Sequence, residues 1–344
     1  MTRPLRIDVE DGWYHVTARG IERRVIFCDQ RHGDHFLELL DELSDRFSIR
    51  VHAYVLMSNH YHLILQSPYA NVSAAMQWLN VSYSAWFNAK HSRVGHVFQG
   101  RFGSKLIDGD GSWLLQASVY LHLNPVRVAA LDLGKQNARA ESLGLKKPSV
   151  EEVRKRLKVL RAHKWSSYSV YSGVVKKPDW LQTSSILARA GGKVKYRKYV
   201  ESHVTRGTDP DEYNTVKERL LIGGHKFVEE MKERIGAVSQ EQPERHILAK
   251  RMPISVIVKI VEGVKGERWE EFKGERGGWG KPLVLYLARK RSGLTLQELG
   301  DWLGGVNYKT VSKTVERFAV KVKADRKILG VVNECMEEMS NVET

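Results

Sequence analysis

Two histidines separated by one residue are the first feature of this sequence with an evident chemical use. His60 and His62 flank Tyr61 in residues 60–66, which the sequence pattern predicts to be a β-strand. Side chains at positions i and i+2 of a strand point to the same face, so both imidazoles can bind one metal ion. The alternative is a pair of ordinary sheet histidines. Two imidazoles without a thiolate leave room for oxygen ligands, which favours Mg²⁺ or Mn²⁺.

A tyrosine and an asparagine stand four residues apart at the end of a predicted helix, residues 111–123. Tyr120 and Asn124 therefore share a face, where the Asn124 amide oxygen is a candidate third metal ligand. The Tyr120 hydroxyl is a candidate nucleophile towards a phosphodiester, since a metal can polarise the phosphate and stabilise the leaving oxygen. The alternative is core packing of Tyr120. Tyr83 is the main rival, but its i+4 residue, Phe87, cannot bind a metal.

The elements that must position these residues form an α+β pattern. A basic, glycine-containing, strand-like loop is predicted at 91–102. Beyond it, residues 134–163 are rich in Lys and Arg, and residues 238–244 are predicted to be a linker. Segregated helices over an antiparallel sheet are typical of an α+β domain. The other predicted elements are strands at 13–18, 49–57 and 60–66, and helices at 33–47, 71–90, 111–123 and 150–163.

Three short helices near the end of the chain predict a helix-turn-helix. They span residues 283–291, 295–303 and 307–321, with Thr295 as a cap and two glycines before the third helix. A helical bundle that only packs or dimerises is the alternative. Val311 and Val315 are expected to point inward. A recognition helix would contact duplex DNA through side chains on its outer face. The candidates are Lys309, Thr310, Lys313 and Arg317.

Composition agrees with a nucleic-acid partner. The 344 residues suggest two or three domains, and 55 Lys and Arg against 40 Asp and Glu give a net charge of +15. An anionic membrane surface is the second candidate partner. Only Cys28 and Cys335 are present, which argues against a disulfide framework and a Cys-based zinc site. Without a long apolar run, a signal-peptide pattern or a phosphate-binding glycine motif, we expect a cytoplasmic protein with no membrane span and no nucleotide cofactor.

Four segments, in this order along the chain, resemble the IS200/IS605-like tyrosine transposases, and within them the REP-associated tyrosine transposases. They correspond to that family's first strand, its HUH segment, a basic element and the nucleophile helix. The resemblance covers residues 10–130, and 165–173 resemble the usual continuation. The segments are YHVTARG at 14–20, AYVLMSNHYHL at 53–63, GHVFQGRF at 95–102 and YLHLNPVR at 120–127.

The resemblance implies a ferredoxin-like HUH nuclease fold and a single-tyrosine endonuclease. It assigns His60 and His62 as metal ligands and Tyr120 as the nucleophile. Asn124 stands where insertion-sequence members have Gln. The implied reaction is cleavage and rejoining of single-stranded DNA beside a hairpin through a covalent 5′-phosphotyrosine, with Mg²⁺ or Mn²⁺. Further basic residues are candidates for contacts with the DNA backbone. These are Arg19, Arg93, Arg101 and Lys105.

The C-terminal segment resembles the DNA-binding domain of the replication initiator DnaA. The shared stretches are YLAR at 286–289, LQELG at 296–300 and GGVNYKTV at 304–311. That family usually has Asp-His-Thr or Asp-His-Ser at 307–309, where this chain has Asn-Tyr-Lys. Because those positions bear on base and phosphate contacts, the resemblance does not by itself imply the usual DnaA target site.

Together these observations predict a transposase domain followed by a duplex-binding domain. The predicted divisions are 1–180 with an insertion at about 131–163, a helical extension and linker at 181–250, and the helix-turn-helix domain at 251–344. The leading function is a metal-dependent transposase or endonuclease acting on single-stranded DNA. A non-catalytic regulator that binds DNA hairpins is the alternative, and an unrelated metal phosphoesterase is a third possibility. The sequence does not distinguish a monomer from a homodimer.

Overall fold

The computed structural model describes residues 8–133, 137, 140–141, 145–206, 221–236, 252–275, 277–292 and 294–342. The chain divides into two compact units: residues 1–44 with 49–244, and residues 45–48 with 245–344. The predicted linker at 238–244 and the predicted boundary at 250–251 lie outside the described residues, as do 134–136, 138–139 and 142–144 of the insertion. None of the described helices is long and apolar enough to cross a membrane.

A five-stranded sheet with the order β2-β3-β1-β4-β5 forms the centre of the first unit. Its first four members pair antiparallel, but the short β5 is parallel to β4, so the sheet is mixed rather than purely antiparallel. The strand-like loop predicted at 91–102 precedes the actual fourth strand. The strands are β1 Gly12–Arg19, β2 Arg50–Met57, β3 His60–Ser67, β4 Gly103–Ile107 and β5 Leu221–Ile222.

The helices of this unit complete a ferredoxin-like arrangement. The chain order β1-α1-β2-β3-α2-β4 and the strand order β2-β3-β1-β4 are those of a split βαβ fold. The α+β class and the ferredoxin-like sheet expected from the sequence are therefore confirmed. The helices are α1 Gln30–Phe47, α2 Val72–Lys90, α3 Trp113–His122, α4 Val150–Ala162, α5 Tyr168–Tyr171, α6 Ser184–Ala190, α7 Lys193–Arg206 and α8 His225–Gly236.

One face of the sheet is an apolar core covered by α1 and α2. Tyr61 on β3 lies with its ring centroid 4.9 Å from that of Phe36, which in turn is 5.3 Å from Tyr83. Tyr61, Leu63 and Leu65 are buried, as the alternation along the strand predicted. Tyr83 is also fully buried, and its hydroxyl donates a hydrogen bond to a backbone carbonyl. Tyr83 is therefore a core residue, which supports the preference for Tyr120 as the candidate nucleophile.

The opposite face packs against α3 and the later helices. Val55 and Ile64 of the sheet lie in one buried cluster with Leu114 and Leu121 of α3. Tyr196 on α7 belongs to the same cluster, so the extension after residue 180 shares its core with the sheet. This face carries polar side chains as well, and the candidate site lies there.

The Lys/Arg-rich insertion is held by a buried ion pair. The capping box of Ser149 and Glu152 starts α4. Arg156 on this helix and Glu141 are joined by two hydrogen bonds of 2.9 Å, and both side chains are fully buried. The Arg156 guanidinium also donates to the carbonyl of Leu131. Loss of either partner would lower the stability of the fold, because the remaining charge would be buried without a counter-charge.

The second unit is entirely helical in its described part. Its third, fourth and fifth helices correspond to the three helices predicted near the end of the chain. Thr295 caps the fourth through a reciprocal contact with Glu298. Val311 and Val315 are buried as expected. The helices are α9 Ile254–Lys265, α10 Trp269–Phe272, α11 Gly280–Arg291, α12 Leu296–Trp302, α13 Tyr308–Ala324 and α14 Arg326–Val342.

The turn between α12 and α13 depends on three glycines. Gly304 and Gly305 have φ of +87° and +89°, a region that favours glycine. The backbone N–H groups of Gly305 and Val306 donate to the carbonyl of Gly300 at 3.1 and 2.9 Å. A Cβ on Gly300 would lie 2.1 Å from the carbonyl oxygen of Val306. The absence of a side chain at Gly300 thus permits this close approach.

Substitution of Gly300 by alanine tests that close approach. Gly300→Ala is expected to lower the free energy of unfolding by about 1–3 kcal/mol, because the new methyl group overlaps a backbone carbonyl. Gly330→Ala is the matched control, since Gly330 lies in α14 with nothing within 4 Å of its added Cβ. It should stabilise by up to about 1 kcal/mol through helix propensity. Urea unfolding of the full chain measures both, and equal effects would contradict the close contact.

A buried histidine gives the first unit a predictable response to acid. His52 on β2 packs with its ring centroid 4.2 Å from that of Trp13. Burial lowers the pKa of His52 to about 3, from an ordinary value of 6.5. As the pH falls below 6.5, His52 is protonated in the unfolded chain but stays neutral in the folded chain. The free energy of unfolding therefore decreases.

Replacing this histidine should remove its share of the acid sensitivity. The variant His52→Phe keeps an aromatic ring against Trp13 but cannot be protonated. Its stability relative to the unmodified protein should rise as the pH falls from 6.5, by up to about 1.4 kcal/mol per pH unit. A second variant, His52→Leu, also cannot be protonated and should show the same rise. Urea unfolding between about pH 4 and pH 7 measures this, and a constant difference for His52→Phe would refute it.

Candidate metal and nucleophile site

The pairing of β1 with its two neighbours gathers the polar side chains of the candidate site on one face. His60 and His62 lie on β3, and Arg19 of β1 is directly opposite His60. On the other side of β1, Lys105 of β4 is opposite His15. Directly opposed residues of antiparallel strands point to the same face of the sheet. Three histidines and two cations therefore share the face that α3 covers.

Hydrogen bonds fix the orientation of both rings of the histidine pair. His60 Nδ1 lies 2.7 Å from the Asn59 side-chain oxygen, which can only accept, so Nδ1–H donates and Nε2 keeps its lone pair. His62 Nδ1 lies 2.9 Å from His15 Nε2. When His62 donates this hydrogen bond, its own Nε2 also keeps a lone pair. Hydrogen bonds from the second ring nitrogen orient metal-binding histidines in this way.

Burial keeps these imidazoles neutral, which is the form that binds a metal. Burial, aided by the charge of Arg19, lowers the pKa of His60 to about 4. The pKa of His62 is well below its ordinary value, through burial and then the neighbouring His15 and His60. Burial, with a contribution from Lys105, lowers the pKa of His15 to about 3. Protons therefore do not compete with a metal at neutral pH.

Helix α3 places Tyr120 against the histidines. Buried Leu114, Ala117 and Leu121 fix the inner face of this helix, and Tyr120 is half-buried. Its ring centroid lies 5.7 Å from that of His15 and 6.0 Å from that of His62, both edge to face. The structure thus brings together the predicted nucleophile and one of the two predicted metal ligands.

Asn124 lies just beyond the end of α3, which stops at His122 rather than at residue 123. Its side-chain amide donates to the carbonyls of Tyr120 and Leu121, both at 3.1 Å. These bonds fix the amide nitrogen and leave the amide oxygen with its lone pairs. In the described part of the chain, the hydrogen bonds of Asn124 go to α3 rather than to the histidines.

The four basic residues predicted to contact the DNA backbone fall into two groups. Arg19 and Lys105 lie on the histidine face, where their charges influence His62. Arg93 and Arg101 are exposed and lie in the segment between α2 and β4. The Arg93 guanidinium lies 5.9 Å from the ring centroid of Phe87, a residue of the opposite, apolar face. The strand pairing therefore associates only Arg19 and Lys105 with the histidines.

Two residues of the site were not selected from the sequence. His15 contacts both His62 and Tyr120, and the Arg127 guanidinium lies 5.5 Å from the Tyr120 ring centroid. His15 lies within the predicted strand 13–18, but its proximity to His62 depends on the pairing register of that strand with β3, which the sequence does not reveal. Arg127 follows Pro125, so helical spacing from Tyr120 did not predict its position.

Comparisons with known proteins found a matching family model and similar solved structures. The family described as Transposase IS200 like matches residues 8–119, which include His60 and His62 and end immediately before Tyr120. This confirms the resemblance to IS200-like transposases over those residues. A solved structure described as "Structure of the REP associates tyrosine transposase bound to a REP hairpin" is similar at 18% identity and a TM-score of 0.32. The similarity covers 40% of this chain and 79% of that one. No curated protein matches.

Proposed function

We propose that the chain is a metal-dependent endonuclease and transposase that cleaves and rejoins single-stranded DNA at hairpin-associated sites. The observation that carries this proposal is the Tyr120 ring packed against the His15–His62 pair on the sheet face that also carries His60. The IS200-like match over residues 8–119 supports a DNA-processing role. The similar solved structure is that of a protein bound to a DNA hairpin, and hairpin DNA is the substrate class we propose here.

The donor atoms of the site fit a hard divalent cation with open coordination positions. His60 Nε2, His62 Nε2 and the Asn124 amide oxygen would hold Mg²⁺ or Mn²⁺, because mixed nitrogen and oxygen donors without a thiolate suit these ions. When bound, the ion supplies polarisation of the scissile phosphate and stabilisation of the leaving oxygen. His15 acts as a positioning residue by accepting the hydrogen bond from His62.

In this proposal Tyr120 is the nucleophile that cleaves the phosphodiester. Its hydroxyl loses a proton to solvent, and the oxygen attacks the phosphorus while the bond from phosphorus to the 3′ oxygen breaks. The 5′ phosphate remains on the tyrosine, and the departing oxygen takes a proton to become a free 3′-hydroxyl. The Arg127 guanidinium, 5.5 Å from the centroid of the Tyr120 ring, would add positive charge beside the reacting phosphate. Reversal by an incoming 3′-hydroxyl rejoins DNA without a nucleotide, because the phosphotyrosine bond conserves the energy.

For the second unit we propose binding of duplex DNA through α13. This helix exposes Lys309, Thr310, Lys313 and Arg317 on one side, opposite buried Val311 and Val315. Basic and hydroxyl side chains on one helix face suit entry into the major groove and contacts with phosphates. The tight glycine turn before α13 resembles that of a helix-turn-helix. The proposal adds duplex DNA to the single-stranded substrate of the first unit.

A tyrosine substitution tests the proposed nucleophile. Tyr120→Phe should abolish the covalent protein–DNA adduct with a labelled single-stranded hairpin oligonucleotide in Mn²⁺, because the attacking oxygen is removed. Hairpin binding should change by less than about tenfold, since one neutral hydrogen bond contributes about 0.5–1.5 kcal/mol. Tyr83→Phe is the matched control, because Tyr83 is a buried core residue, and it should still form the adduct. Denaturing gels detect the adduct.

The same assay separates the alternative functions. An adduct that persists in Tyr120→Phe would contradict the assignment of the nucleophile. Cleavage products without any covalent tyrosine link would favour an unrelated metal phosphoesterase. Hairpin binding by the unmodified protein with no cut product under any divalent metal would favour a non-catalytic regulator.

Charge removal on α13 tests the proposed duplex-binding surface. Lys313→Ala combined with Arg317→Ala should weaken binding to duplex DNA at least tenfold near physiological salt, and should reduce the salt slope by about 1.8 if both contact phosphates. Arg326→Ala combined with Lys327→Ala is the control that removes the same number of charges, at two exposed residues at the start of α14. Fluorescence anisotropy over a range of salt concentrations measures the slope. An unchanged slope in the double variant would show that α13 does not contact the phosphates.

A further inference from the structure

A second cluster of metal-binding side chains lies on a different part of the first unit. The ligand atoms of Cys28, His32 and His91 all lie within 4.8 Å of one another. Cys28 precedes α1, His32 lies in the first turn of α1, and His91 directly follows α2. The packing of α1 beside α2 thus joins groups that are 59 residues apart in sequence. None of these residues takes part in the site at His60 and His62.

His32 is oriented as a metal-binding histidine would be. Its side chain is fully buried, and its Nδ1 lies 2.7 Å from the Asp29 carboxylate. Because a carboxylate only accepts, Nδ1–H donates and Nε2 keeps its lone pair, which accepts a hydrogen bond from His91 Nε2–H 2.7 Å away. A metal ion bound between the two nitrogens would replace that proton. A carboxylate on the second ring nitrogen is the arrangement that typically holds a zinc-binding histidine. The ring of Trp86 packs edge to face against His32 and restricts its rotation further.

We propose that Cys28 Sγ, His32 Nε2 and His91 Nε2 bind a zinc ion, with the fourth position open to water. One thiolate and two imidazoles are donors that Zn²⁺ prefers, and they are poor ligands for Mg²⁺ or Mn²⁺. The thiolate and the Asp29 carboxylate, which also lies 3.4 Å from the Lys90 ammonium, place two negative charges beside the zinc. Two cysteines are too few for a zinc site built on thiols alone, which is why the sequence argued against a Cys-based zinc site. Here two histidines complete a set that contains only one thiol.

The position of the cluster suggests a structural role for the zinc. The loop before Cys28 is bound to the turn that precedes His60: the N–H groups of Ile26 and Phe27 both donate to the carbonyl of Ser58, at 2.8 and 2.9 Å. A zinc ion would tie this loop to the start of α1 and the end of α2. It would thereby hold the loop beside the β2–β3 turn, independently of any metal bound at His60 and His62.

Zinc content of the full chain tests this proposal. The protein is incubated with ZnSO₄ alone, dialysed against metal-free buffer and analysed by inductively coupled plasma mass spectrometry. The unmodified protein should retain one zinc per chain, and Cys28→Ser should lose it. Cys335→Ser, which removes the other cysteine, should retain zinc. The double variant His60→Ala with His62→Ala should also retain it, because those residues belong to the other site.

Cobalt provides a readout that does not depend on the folding of a variant. Co²⁺ bound to a thiolate gives a sulfur-to-metal charge-transfer band in the near ultraviolet, and the unmodified protein should show this band with Co²⁺ alone. Absence of the band, or of retained zinc, in the unmodified protein would overturn the proposal. So would equal zinc in Cys28→Ser and Cys335→Ser. Loss of zinc only in the His60 and His62 double variant would assign the ion to the other site and also overturn it.

Discussion

The pairing register of β1 against β3 is the constraint on which the candidate site depends. It places Arg19 opposite His60 and brings His15 within hydrogen-bond distance of His62. A slip of one residue would turn the side chains of β1 to the other face of the sheet. His15 would then lie in the apolar core and Tyr14 would face α3. The buried aromatic core under α1 and α2 resists this slip, because Tyr14 belongs to its face of the sheet.

The two faces of the sheet have different roles: one forms the apolar core, and the other carries the candidate site. The face under α1 and α2 is apolar, and Tyr83 donates its only hydroxyl proton to a backbone carbonyl there. The face under α3 carries His15 and His62, which are hydrogen-bonded to each other, and His60, which is hydrogen-bonded to the Asn59 side chain. Buried polar groups require such partners, so the fold can retain several neutral imidazoles beneath Tyr120. The zinc cluster proposed here does not include these histidines and lies at the start of α1 and the end of α2.

Much of the fold could be predicted from local patterns, and the failures have local causes. Alternation predicted β1, β2 and β3 closely, and the capping pattern of Thr295 predicted α12. The fourth strand has no counterpart in the prediction, which places only a strand-like loop at 91–102. The actual strand is Gly103–Ile107, which pairs with β1. The parallel β5 has only two residues, so its own sequence carries no periodic signal.

The sequence by itself determined that His60 and His62 share a face and that Tyr120 and Asn124 lie close together. Both relations follow from the repeat of a strand and of a helix, which are properties of the local backbone. Only the tertiary structure decided that His15 contacts His62, that Arg127 lies over Tyr120, and that Cys28 meets His32 and His91. These contacts join residues on different elements. They depend on strand register and helix packing, and both of these are set by buried side chains from many segments of the domain rather than from one.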